Sequence, residues 1–109
     1  MQHPFTVATA PARLITCIVP AGEGFALAES LHEEMALSTV DLTHGRGASQ
    51  RSGTFADEMD VLTVVVAAER ADAVFAFVYE RARIASMPNR FMFQMALEAA
   101  SPYQLPAVP

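Results

Sequence analysis

The chain has 109 residues, enough for one domain with a core of its own, and its apolar share of 52% excludes an intrinsically disordered protein. A net charge of -5, with seven arginines and no lysine, excludes general nucleic-acid binding, which needs a basic face. Any anion held by this protein must therefore be held by arginine or by backbone N–H groups.

No apolar run approaches the ~18 residues of a membrane helix, and the longest is interrupted by Thr63. There is no direct membrane insertion in this reading. The N-terminus lacks a basic region followed by an apolar stretch, so no signal peptide is expected and the expected compartment is the cytoplasm. One cysteine, Cys17, cannot form an internal disulfide, which agrees with a reducing environment.

Residues 1–12 carry two prolines and no clear period, and read as a flexible leader. Leu14 to Val19 reads as a first strand, stopped by Pro20-Ala21-Gly22. A helix is expected from about Glu23 to Ala36, with Leu27, Ala28, Leu31 and Met35 on one face and Glu29, Ser30 and Glu33 opposite. Ser38 to Thr43 reads as a second strand.

Beyond it, His44-Gly45-Arg46-Gly47 reads as a turn opening a polar loop that lasts to Asp57. Gly45 and Gly47 allow φ > 0 or close approach of a ligand to the backbone, and Arg46 places a fixed positive charge beside them. Such a turn at a strand end suits an anion. The competing reading is a loop start that needs glycine only for its backbone angles.

Met59 to Ala68 is the strongest strand signal in the chain. A second helix is expected from about Arg70 to Ala85, its inward stripe made by Ala71, Val74, Phe75, Val78 and Ala82, and Met87-Pro88-Asn89 ends it. Phe91 to Ala96 reads as a fourth strand, and residues 101–109 form a Pro-rich C-terminal segment. The order β-α-β-β-α-β predicts an α+β, ferredoxin-like domain with an antiparallel sheet over residues 13–100.

In such a unit both helices cover one sheet face, so the strands should alternate apolar and polar. They do not. Val61, Thr63, Val65 and Ala67 oppose Leu62, Val64, Val66 and Ala68; Ile15 and Cys17 oppose Leu14 and Ile18; Phe91 and Phe93 oppose Met92 and Ala96. Each large apolar side chain removed from water contributes about 1.5–3 kcal/mol, so a bare second face would be wasteful and adhesive. The chain has no spare element to cover it, which predicts assembly with copies of itself.

The run Thr39-Val40-Asp41-Leu42-Thr43-His44-Gly45-Arg46-Gly47, with this element order and the Ala71-Asp72-Ala73-Val74 opening of the second helix, resembles the PII-like signalling family. His44-Gly45-Arg46-Gly47 is similar to a His-Gly-Arg-Gly variant of divergent PII-type regulators, and the resemblance covers about Leu14 to Ala100. It implies a homotrimer with inward-facing sheets and ligand sites in the clefts between subunits, usually for adenine nucleotides. It also implies that a loop, here 48–58, reports ligand state to a transporter or enzyme target. Carried over, the ligand-binding residues are His44, Gly45, Arg46, Gly47, Asn89 and Arg90, with Arg90 in the place of a phosphate-binding lysine.

The chain departs from the family where ATP-binding members carry a glycine-aspartate-glycine-lysine cradle. Met87-Pro88-Asn89-Arg90 stands there, and Pro88 has no N–H to donate. The loop also lacks a tyrosine, since Tyr79 and Tyr103 lie elsewhere, and the family's basic C-terminal segment is replaced by Ser101-Pro102-Tyr103-Gln104-Leu105. A smaller anionic metabolite, such as an AMP- or ADP-like nucleotide, fits better than ATP.

Among the other chemistry-bearing residues, Cys17 reads as a buried thiol. His32-Glu33-Glu34 lacks the second histidine of a helical metal pair. No nucleophile–base pair, metal quartet or P-loop occurs, so no catalytic or metal residue is assigned and an enzyme is not expected. Two alternatives share the topology: a CutA-like trimer handling divalent metals, and a dimeric α+β-barrel enzyme.

Overall fold

The structure is a computed structural model that describes residues 11–46 and 58–97. Six elements follow in the order β1 (Ala12–Pro20), α1 (Gly24–Met35), β2 (Val40–Arg46), β3 (Glu58–Ala67), α2 (Ala68–Arg81) and β4 (Phe91–Leu97). The strands form one sheet in the order β2-β3-β1-β4, and every neighbouring pair is antiparallel. This is the ferredoxin-like α+β arrangement expected from the element order. Residues 1–10, Gly47, most of the 48–58 loop and the 101–109 segment lie outside the described residues.

The core sits between one sheet face and the two helices. Ile15, Cys17 and Val19 of β1 and Leu62, Val64 and Val66 of β3 pack against Leu27 and Leu31 of α1 and Ala71, Val74 and Val78 of α2. Phe75 and Phe77 of α2, with Ile84 beyond its end, are partly buried at the edge of this core.

The opposite face of the sheet carries no layer from the described residues. Pairing places Leu14, Val65 and Met95 in one row, Thr16, Thr63 and Phe93 in the next, and Ile18, Val61 and Phe91 in a third. Phe91, Phe93 and Met95 are 59%, 47% and 48% exposed, large values for apolar side chains in a sheet. The two-sided hydrophobicity of the strands is therefore a surface that the described residues leave uncovered.

Several boundaries differ from the sequence reading, for local physical reasons. β1 starts at Ala12, inside the segment read as leader, because Ala12 has ladder partners in both Ala67 and Leu97. α2 ends at Arg81 instead of running on to Ala85. Arg83 takes φ 55, and the N–H of Ile84 bonds back to the carbonyl of Tyr79, which closes the helix.

β2 runs through His44, Gly45 and Arg46, where a turn was expected. Those residues pair with Asp60, Met59 and Glu58, because β3 begins early enough to offer them backbone partners. Gly45 accordingly has no left-handed φ, and a Cβ placed on it would meet nothing within 4 Å. Its glycine leaves an open flank on an edge strand. Glu58, counted with the loop in the sequence, is the first residue of β3.

Candidate functional site

One end of the sheet gathers most of the polar chemistry of the described residues, and Asp60 is its centre. Its residue is 1% exposed, yet it carries a carboxylate. Oδ2 accepts the backbone N–H groups of Gly22 and Gly24, both at 2.9 Å, and Oδ1 lies 2.6 Å from Nδ1 of His44. An ionised carboxylate only accepts, so Nδ1 carries the hydrogen and donates. Burial raises the pKa of Asp60, but the bonds from Gly24, His44 and Gly22, with the charge of His44, outweigh it and leave the group below the usual carboxylate range.

Helix α1 has no side-chain cap of its own: its N-cap residue is Glu23, which bonds none of the first-turn N–H groups. Asp60 supplies that anion from β3, beside the positive end of the helix dipole. The approach is close. A Cβ on Gly24 would stand 2.6 Å from Leu42 Cδ1 and 2.8 Å from Asp60 Cβ, so only glycine lets α1 seat on the carboxylate.

His44 is anchored on Asp60 while its side chain remains 75% exposed. The bond to Nδ1 turns Nε2 away from the carboxylate and fixes which nitrogen is left over.

Arg90 lies at the other edge of the sheet end, just before β4. Its guanidinium is held by both oxygens of Glu23, at 2.6 and 3.1 Å, and donates to the carbonyls of Ala82 and Pro88. Its side chain is only 6% exposed. The hydrogen bond it donates to Glu23 holds its pKa above the ordinary arginine value. Asn89 beside it is exposed, with φ 58.

The expected ligand residues thus fall into two groups. His44, Gly45 and Arg46 end the edge strand β2, while Asn89 and Arg90 precede the opposite edge strand β4. Three strand spacings separate the groups, roughly 14 Å. One chain does not bring them together. What joins them is indirect: His44 binds Asp60, Asp60 binds Gly22 and Gly24, and Glu23 between those glycines binds Arg90. From sequence, Asp60 reads with Asp57 and Glu58 as an exposed cluster able to pair with Arg46 or Arg51, whereas it is buried and bound to His44; the roles of Glu23 and the Gly22–Gly24 turn were not foreseen. The sole hint was a buried-strand position occupied by aspartate.

Between α1 and the turn 82–90 lies a cleft of about 420 Å³, lined among others by Glu23, Ala26, Ser30, Arg81, Arg83 and Arg90. Cys17 is fully buried in the core, and burial pushes its thiol up to about 11 against the lowering effect of Arg90. Among the described residues, no three His, Cys, Asp or Glu side chains converge as metal ligands. No helix among them is long and apolar enough to cross a membrane.

No family profile matches the sequence, and no curated protein sequence matches it. Solved structures do. Arabidopsis thaliana PII bound to citrate aligns with a TM-score of 0.66 and 13% identity, covering 82% of this chain and 79% of that one. CutA from Synechococcus elongatus aligns with a TM-score of 0.67 and 18% identity, over 89% of this chain and 87% of that one. The Bacillus subtilis GlnK–ATP complex aligns at 0.54 and 14% identity, over 80% and 84%. The chain therefore has the ferredoxin-like fold shared by PII and CutA proteins.

Proposed function

We propose that this protein is a PII-like regulator. Copies of the chain assemble as a homotrimer, a small anionic metabolite binds in the clefts between them, and the 48–58 loop passes that state to a partner transporter or enzyme. The observation that carries this reading is the uncovered apolar sheet face, with Phe91, Phe93 and Met95 about half exposed. Burying those rows against sister copies stabilises them by about 1.5–3 kcal/mol for each large side chain. The function proposed is binding and relay, not catalysis.

The placement of the expected ligand residues supports an inter-copy site. His44, Gly45 and Arg46 stand at one edge of the sheet end, with Asn89 and Arg90 at the other, so a joint site needs one copy's edge to abut its neighbour's. An AMP- or ADP-like nucleotide suits such a cleft better than ATP, because Pro88 removes an N–H from the turn that would hold a triphosphate.

The test is native mass spectrometry of the purified chain, with calorimetry against AMP, ADP, ATP and cyclic nucleotides. A trimer that binds one of them, with binding lost in Arg46→Gln, is the expected result. A monomer at micromolar concentration removes the inter-copy cleft and this function with it.

A further inference from the structure

We infer that the cleft between α1 and the turn 82–90 binds a small organic oxyanion, a carboxylate or phosphate ester, on Arg83 and Arg90 of a single chain. The cleft's volume of about 420 Å³ lies within the range of small-molecule sites. It needs one copy only, so it does not depend on the assembly proposed above.

The charge arrangement carries the inference. Three guanidiniums, of Arg81, Arg83 and Arg90, line this cleft in a chain whose net charge is -5. Two are matched: Arg81 donates to Glu34 at 2.7 Å and to Ser30 at 3.0 Å, and Arg90 is held by Glu23. Arg83 has no side-chain partner among the described residues. The cleft is left with one positive charge in excess, and arginine recognises planar oxyanions through paired N–H donors.

The backbone at Arg83 adds to this. The residue closes α2 in the left-handed region, with φ 55, a position usually given to glycine. A residue held in this backbone region at a helix end, with a guanidinium lining a cleft, is a candidate for function.

The rest of the lining sets the ligand's shape. Ala26, Leu27, Ala82 and Met87 form an apolar wall against which a compact organic body can lie. Glu23 occupies the oxyanion position on Arg90, 45% exposed and so able to swing out. The incoming oxyanion takes its place and gains Arg83 as a second partner.

Calorimetry on the full chain with inorganic phosphate, AMP and citrate as probes tests this. At least one probe is expected to bind. Arg83→Gly, which also relieves the backbone and so keeps the chain folded, should weaken it at least about tenfold, the equivalent of one charge-assisted hydrogen bond. Glu23→Gln should tighten it by removing the competing carboxylate. Absence of binding by all three probes at millimolar concentration overturns the inference, as does an Arg83→Gly chain of unaltered affinity. Binding lost in Arg46→Gln but kept in Arg83→Gly would assign the anion to the inter-copy cleft instead. A monomeric chain that still binds through Arg83 would sink the trimer reading and leave this one standing.

Discussion

Asp60 and Gly24 are 36 residues apart, yet the Gly24 N–H points at Asp60 Oδ2 from 2.9 Å and begins helix α1 there. The same oxygen takes the Gly22 N–H, and the other oxygen takes His44. A single carboxylate thus holds the start of a helix, the turn before it and the end of an edge strand.

Removing that carboxylate leaves helix-start donors without an acceptor in a place water barely reaches. Asp60→Ala should lower the unfolding free energy by about 2–4 kcal/mol, since each unsatisfied buried donor costs about 1–3 kcal/mol. Urea denaturation followed by circular dichroism reads this directly. A midpoint equal to that of the unaltered chain would mean the network contributes nothing.

Acid should act through the same group. The folded-state pKa of Asp60 lies below its unfolded value, so its contribution is present above the unfolded value of 3.8 and is lost as pH falls through the folded pKa. Thermal scans between pH 5 and pH 2 should show Asp60→Asn losing less stability over that window than the unaltered chain. Parallel curves would place the acid sensitivity elsewhere.

Gly24→Ala sets two effects against each other. Alanine improves helix propensity by up to about 1 kcal/mol. Its Cβ, however, would stand 2.6 Å from Leu42 Cδ1 and 2.9 Å from Asp60 Oδ2, closer than real contacts allow. Overpacking of this kind costs about 1–3 kcal/mol, so net destabilisation is expected, visible as a lowered Tm. A raised Tm would show that α1 can slide off Asp60 without loss.

Phe93→Asp places a charge in the middle row of the open sheet face, on the edge strand β4. It should split the assembly to single chains in native mass spectrometry and leave the circular dichroism spectrum unchanged. Phe25→Asp serves as the control, because Phe25 is even more exposed, at 64%, but stands on α1 away from that face. If both variants keep the mass of the unaltered protein, the sheet face is not where copies meet.

Cys17 should be inert in the folded chain. Its thiol is fully buried and pushed up to about 11, so almost no thiolate exists at pH 8. Iodoacetamide at pH 8 should label the protein only after denaturant is added. Rapid labelling without denaturant would show that β1 opens on the timescale of the reaction.

The sequence by itself determined the element order, the helix stripes and the greasiness of both sheet faces. Leu27, Leu31, Ala71, Val74 and Val78 are buried where their 3.6-residue spacing put them, and Phe91, Phe93 and Met95 share the face that period-2 alternation assigned to them. Periodicity works because it reports which side of an element avoids water, an average over many contacts.

Tertiary structure alone decided the partners. His44 and Arg46 belong to a strand because β3 presents backbone ladder partners, and those bonds do not depend on side-chain type. Asp60 caps a helix whose own N-cap residue does not, and Glu23 matches Arg90 across 67 residues of chain. Hydrogen bonds and ion pairs of this kind depend on a few tenths of an ångström between groups remote in sequence. No local pattern of residues encodes them before the sheet and helices have packed.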